Sequence, residues 1–206
     1  MIGVIDYKTG NAPSVLNALN KLNIDSKLIS SSEELKLCSA VILPGVGSAK
    51  ATIESLNELN LIKELENKVL HEEMPFLGIC IGLQILFEHS GEGDTKCLGW
   101  FKGYVRKLPQ EMVRVPHIGW NEAEFIKDHP VLSGLKKTDF FYFVNSYYAI
   151  PENNDIILAK TTYGINFCSM IADKNIIATQ FHLEKSGPVG LKILKNFASI
   201  EGVSLC

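Results

Sequence analysis

Cys80 closes a short apolar run at residues 76–79, with Gly78 two residues before it and Gly82 two residues after. A thiol carried on a sharp turn between a strand and a helix is a nucleophile in position. Glycines at those offsets fit that turn, because neighbouring backbone must pass too close for a Cβ. The pattern predicts a helix over residues 81–88, with its amino terminus facing the sulfur and favouring thiolate over thiol. Gly-x-Cys-x-Gly also describes a buried cysteine that is only a small hydrophobe. A base, and a group that orients the base, would separate the two readings.

The five histidines stand at 71, 89, 117, 129 and 182. His182 follows a strand-like run at 176–181, and Glu184 lies two residues further on. A carboxylate at that offset can accept the second imidazole N–H, fix the tautomer and stabilise the imidazolium. The alternative is a surface histidine beside Glu184 and Lys185. His117, in Val-Pro-His-Ile-Gly-Trp, is the rival base, whereas His71, His89 and His129 sit in polar surroundings and read as solvated surface. Acyl transfer from an amide also needs donors for an oxyanion. The backbone N–H of Ile81 is one candidate, and an N–H in the loop of Pro44, Gly45, Val46 and Gly47 is the other. That loop can equally be a tight turn ahead of a helix capped by Ser48.

The elements that must carry these groups follow from periodicity. Continuous apolar runs at 2–5, 40–43 and 76–79 each end in a glycine-containing loop and read as buried parallel strands. Helical spacing follows each of the first two: Val15, Leu16, Leu19 and Leu22 after a cap at Asn11 with Pro13 in the first turn, then Ile53 and Leu56, continued by Leu61, Leu65 and Val69. The order predicts an α/β fold, an open, mostly parallel sheet with helices on both faces. All three candidate loops then fall at carboxyl ends of strands, where such sheets bind ligands. From residue 98 onward, runs at 104–106, 113–115, 140–144, 156–158 and 176–181 predict antiparallel strands added to the sheet or folded over it. Gly187 and Pro188 open a last helix with Val189, Leu191, Ile193, Leu194 and Phe197 as its apolar set.

Composition bounds the rest. The 206 residues, 46% hydrophobic and 21% charged, suit one globular domain, and residues 1–206 are expected to form it. A net charge of −3 with scattered lysines gives no footprint for nucleic acid. No apolar run approaches the roughly 20 residues that cross a bilayer, and the amino terminus lacks a signal-peptide pattern. Five irregularly spaced cysteines, including Cys206, without a CxxC pair, fit a reducing cytoplasm rather than a disulfide scaffold or zinc site. Nothing in the pattern calls for a metal or an organic cofactor.

Three segments together, 78–84, 44–47 and 180–186, resemble the class I glutamine amidotransferases. The likeness is nearer still to the glutaminase subunits of imidazole glycerol phosphate synthases. Ile5, Asp6 and Tyr7 with Gly10 and Asn11, the run 116–121, and the run 142–147 carry the narrower likeness, which spans essentially the whole chain. The resemblance implies that Cys80 attacks the carboxamide of L-glutamine, assisted by His182, which Glu184 orients. Val46, Gly47 and Ile81 would supply the oxyanion hole, and Gly45, Gly47, Gln84, Ser146 and Tyr147 match substrate-binding positions. Ammonia would pass to a (β/α)8-barrel synthase subunit, held as a heterodimer partner, with imidazole glycerol phosphate and aminoimidazole carboxamide ribotide as final products in histidine biosynthesis. Asn11, Trp120, Tyr142 and Lys185 match positions at or near that interface. The loop at 44–47 would be a switch set by the partner, with Gly45 and Gly47 as its hinges.

Two positions depart from the family pattern. Leu183 follows the catalytic histidine where proline is usual, and Asn145 stands where a histidine often precedes the Ser-Tyr pair. The same triad would also serve a paralogous glutaminase feeding another synthase, such as one that amidates a surface sugar. A non-catalytic regulatory subunit on this fold is the third reading.

Overall fold

A computed structural model describes residues 1–8 and 11–200; Gly10 and Cys206, both noted in the sequence, lie outside them. The first part of the chain alternates β1 (Ile2–Ile5), α1 (Ala12–Lys21), β2 (Ser26–Ile29), α2 (Ser32–Lys36), β3 (Ala40–Leu43), α3 (Ala49–Glu58), α4 (Ile62–Glu66), β4 (Phe76–Ile79) and α5 (Ile81–Gln84). The second part runs through β5 (Phe87–Ser90), β6 (Thr95–Lys96), β7 (Phe101–Lys107), β8 (His117–Phe125), β9 (Thr138–Asn145), β10 (Tyr147–Pro151), β11 (Ile157–Tyr163), β12 (Ile165–Asp173) and β13 (Ile176–Thr179), and ends in α6 (Gly187–Ala198).

Strands β1, β3 and β4 are buried at every position, as continuous apolar runs require when both sheet faces are covered. On one face, Val15 and Leu19 of α1 and Ile193, Leu194 and Phe197 of α6 pack with Val4, Ile42 and Leu77. On the other, Leu56 of α3 and Leu65 of α4 pack with Ile5, Val41 and Leu43. The α/β expectation of helices on both faces is met. Among the described residues, no helix is long and apolar enough to cross a membrane.

The sheet departs from expectation at one decisive place. Strands run β2-β1-β3-β4-β13-β12-β10-β7-β5-β6, and β13, expected as an antiparallel addition, pairs parallel with β4 while lying antiparallel to β12. Its carboxyl end therefore emerges beside that of β4. The other late strands, β8 to β12, form the expected antiparallel set.

Three local expectations are corrected. The helix after Cys80 stops at Gln84 rather than running to residue 88. Ile85, Leu86 and Phe87 are all fully buried, and the carbonyls of Ile85 and Leu86 accept from Leu98 and Phe101 N–H groups outside any helix. A run that is apolar at every position needs cover on all sides, and it leads into β5 instead. Residues 113–115 form no strand; they approach the cis Val115–Pro116 bond ahead of β8. Asn11 precedes α1 but makes no side-chain cap bond, because its amide is drawn elsewhere, as described below.

Ser48 caps α3 as expected, accepting from the Ala51 N–H. The glycines around Cys80 also have the predicted cause. A Cβ on Gly78 would press on the Gly82 carbonyl, and one on Gly82 would overlap the Leu43 carbonyl oxygen. Both obstacles are backbone and neither can swing away. Gly82→Ala is therefore expected to lower unfolding free energy by about 2 kcal/mol, read from the urea midpoint; an unshifted midpoint would show that the turn is not closely packed.

Candidate active site

Cys80 sits at φ 56°, ψ −103°, between β4 and α5. A non-glycine residue there stores on the order of 1–3 kcal/mol of backbone strain and persists only where its surroundings enforce it. The Cys80 N–H donates to the Thr179 carbonyl of β13 at 2.7 Å, locking the turn to the neighbouring strand. With α5 reduced to barely one turn, the position of the thiol rests on this elbow rather than on a long helix dipole.

Because β13 is parallel to β4, His182 leaves the sheet next to Cys80. Its Nδ1 lies 2.8 Å from Glu184 Oε1, and both side chains are 1% exposed. Cys80 lies close enough to raise the proton affinity of the imidazole, so the three groups expected from the sequence converge. Asn11 Nδ2 donates to the same Glu184 oxygen at 2.7 Å, which explains why it does not cap α1. The His182 backbone is held by β9: its N–H donates to the Tyr142 carbonyl at 2.9 Å. The Ser186 hydroxyl accepts from the Tyr142 N–H and donates to the His182 carbonyl.

His117, the rival base, belongs to the core. It stacks between Phe143 and Tyr163, with ring centroids at 4.9 and 3.9 Å, and burial pushes its pKa down. His89 pairs with Asp94 at 2.8 Å, while His129 accepts from the Val131 N–H.

Beside the thiol lies a cleft of about 280 Å³ lined by Val46, Gly47, Cys80, Ile81, Gln84, Glu92, Pro116, Val144, Asn145, Ser146 and Tyr147. Its size suits an amino acid better than a nucleotide. Seven of these residues, Val46, Gly47, Cys80, Ile81, Gln84, Ser146 and Tyr147, are ones the sequence singled out for the site. Gly45 does not reach the cleft: a Cβ there would meet the Ile81 side chain and the Tyr7 hydroxyl, so this glycine answers close packing. The Gln84 amide nitrogen bonds the Tyr147 carbonyl and Gln180 Oε1, each at 3.0 Å, and Gln180 Nε2 reaches Cys80 Sγ at 3.5 Å. Asn145 Nδ2 also bonds the Tyr147 carbonyl at 3.0 Å.

Glu92 was not anticipated. Its carboxylate accepts from the Ala49 N–H at 2.9 Å and, among the described residues, is the one acidic side chain that lines the cleft. In the sequence it sits in a Gly-Glu-Gly turn with no periodic signal.

The four interface candidates cluster outside the cleft. Trp120 and Tyr142 are partners in the β8–β9 register and meet edge to face at 6.0 Å. Trp120 is 56% exposed, with Ile118 at 61% and Phe140 at 54% nearby on the same ribbon. Lys185 is exposed and Asn11 half-buried.

A strained cysteine elbow, a buried His–Glu pair and a small cleft thus lie together at the ends of three adjacent parallel strands. The family described as glutamine amidotransferase class-I matches residues 3–200. A crystal structure of a glutamine amidotransferase shares the fold at TM-score 0.74, with 19% identity and 96% of both chains covered. The chain is 48% identical over 198 residues, 96% of each chain, to the imidazole glycerol phosphate synthase subunit HisH of Dehalococcoides mccartyi. It is 45% identical to that subunit of Methanocaldococcus jannaschii, over 97% of this chain and all of the other. The chain belongs to the class-I glutamine amidotransferase family and, within it, to the HisH subunits.

Burial alone would strip the proton from His182, but hydrogen bonds and charge from Cys80 and Glu184 outweigh it and push the pKa up to about 10. A folded pKa above the unfolded value of about 6.5 stabilises the fold fully below 6.5, and that contribution fades as pH rises toward 10. Glu184→Gln should move the His182 titration, followed by imidazole NMR, down toward the ordinary value. It should also narrow the stability gap to native protein as pH rises from 6.5 to 10. An unmoved titration would mean that Glu184 does not govern the imidazole.

Proposed function

We propose that this chain, acting as a single domain in the cytoplasm, is the glutaminase subunit of an imidazole glycerol phosphate synthase and hydrolyses L-glutamine through Cys80, His182 and Glu184. The observation that carries the catalytic reading is the convergence of the elbow thiol with a buried, carboxylate-held imidazole beside an amino-acid-sized cleft.

The Cys80 thiolate attacks the carboxamide carbon, forming the C–S bond as the carbonyl π electrons move onto oxygen. The N–H groups of Ile81 and Gly47 receive that oxyanion. The His182 imidazolium gives its proton to the amide nitrogen, the C–N bond breaks, and ammonia leaves a γ-glutamyl thioester. Water then adds to the thioester with its proton passing to His182. Collapse of the second tetrahedral intermediate expels the thiolate and frees glutamate. Glu184 keeps the imidazole oriented and balances its charge in both halves.

Substrate placement follows from the cleft. Glu92 carries the charge that an α-ammonium group needs, and the Ser146–Tyr147 segment is braced by Gln84 and Asn145. With its amide nitrogen already committed to protein acceptors, Gln84 presents its carbonyl oxygen. The exposed ribbon of Ile118, Trp120, Phe140 and Tyr142, flanked by Asn11 and Lys185, supports docking of a (β/α)8-barrel synthase subunit there. Scattered surface hydrophobes are ordinary, but a contiguous set joined by a backbone bond to the catalytic histidine suits a partner that draws ammonia from this site.

The test is glutamate release from glutamine, measured alone and with the barrel subunit from the same source plus its nucleotide substrate. Partner-stimulated release with imidazole glycerol phosphate formation is expected. Release that requires Cys80 but ignores that subunit would assign the ammonia to a different synthase. Cys80→Ala should abolish turnover. Glu92→Gln should raise KM roughly tenfold, about 1.4 kcal/mol, with a smaller change in kcat; a KM unaltered in this variant would remove Glu92 from substrate recognition.

A further inference from the structure

The loop between β3 and α3 is held on both sides of a very short free stretch. At its start, the Tyr7 hydroxyl, at the end of β1 and 1% exposed, donates to the Pro44 carbonyl at 2.9 Å. The same phenol lies against Gly45, where a Cβ would stand 2.5 Å from its oxygen. At the loop's end, the buried Thr52 hydroxyl donates to the Ser48 carbonyl at 2.9 Å, Ser48 caps α3, and Glu92 takes the Ala49 N–H. Between these ties only Val46 and Gly47 remain. Val46 is 37% exposed, while Gly47 sits at φ 119° with nothing within 4 Å of the place a Cβ would take.

We propose that Tyr7 is a positioning residue for the glutaminase reaction: by fixing the Pro44 carbonyl it roots the oxyanion loop and confines its freedom to the Val46–Gly47 peptide, whose N–H must meet the developing oxyanion. The expectation that Gly45 and Gly47 both act as hinges is thereby narrowed, since Gly45 is wedged between Ile81 and Tyr7 and Gly47 alone is free to turn. Burial pushes the phenol up to about 12, so it remains a neutral donor throughout the working pH range. A phenylalanine would fill the same space and leave the Pro44 carbonyl without its partner, letting the loop's root drift.

The inference rests on the reading of this loop as an oxyanion donor. It is tested on Tyr7→Phe in complex with the synthase subunit, with two readouts that share Cys80 but not the oxyanion hole. Hydrolysis of glutamine needs the hole, whereas alkylation of Cys80 by iodoacetamide needs only the thiolate. The expected result is a fall of roughly tenfold or more in kcat, with KM and the Cys80 alkylation rate within about twofold of native. Unchanged kcat, a loss appearing in KM, or a parallel loss of alkylation would each overturn the positioning role. The last of these would mark general disruption of the site, and a Thr52→Val variant, which spares the phenol's bond to Pro44 but removes the tie at Ser48, separates it from a local effect by the same pair of readouts. If the native complex shows no Cys80-dependent glutamate release, the glutaminase reading fails first and this inference fails with it.

Discussion

The backbone at Cys80 is held at positive φ by packing so close that no side-chain atom fits at Gly78 or Gly82. The proposed catalytic arrangement depends on that constraint. The strained turn lifts the thiol out of the sheet without a long helix behind it, and the Cys80 N–H bond to Thr179 transmits the same rigidity to the strand that delivers His182. Strain of this kind persists because relieving it would require moving the β3, β4 and β13 backbones together, and these are consecutive strands in the buried part of the sheet.

The convergence of the site is a property of topology more than of local sequence. Loops at 44–47, 80–82 and 182–184 lie far apart in the chain, yet they leave β3, β4 and β13 at the same edge because all three strands run parallel. Had β13 been antiparallel to β4, His182 would emerge at the opposite edge and its imidazole would not reach the thiol. The antiparallel half serves this arrangement from outside: β9 bonds the His182 segment, and the stretch between β9 and β10 supplies one wall of the cleft.

What could be read from the residues divides along the same line. The elbow, the 44–47 loop, the cap at Ser48 and the final helix were legible because each is written in adjacent glycines, capping residues or apolar spacing. The direction of β13 was not, since an apolar run carries no record of its neighbour. Asn11 looked like a helix cap because its residue type suits one; only a contact across 173 positions shows that its amide serves Glu184. The short α5 was misjudged for a related reason, because Ile85, Leu86 and Phe87 extend a helical pattern equally well until strands on either side claim their backbone. His117 resembled a base in its motif and is a stacked core ring in the fold. Tyr7 stood out only as part of a motif, with nothing to point to its bond across to Pro44, and Glu92 gave no signal, an acid in a glycine turn being ordinary in isolation.

Leu183 is the departure with the most at stake, because a proline there would restrict the backbone between His182 and Glu184. The rigidity comes instead from other sources. Leu183 is fully buried, its carbonyl packs where only Gly190 leaves room, and the Ser186 hydroxyl ties the His182 carbonyl to the β9 backbone. With the segment fixed at both ends, the carboxylate is free to be used asymmetrically. Oε1 takes both the imidazole and the Asn11 amide, while Oε2 is buried without a protein partner. Concentrating two donors on one oxygen sets the carboxylate plane against the imidazole. It also ties the triad's electrostatics to Asn11, a residue that reaches from the half-buried rim where the synthase subunit is proposed to dock. A bond lost at that rim would release one of the two donors that hold the carboxylate in place for the proton transfers proposed at His182.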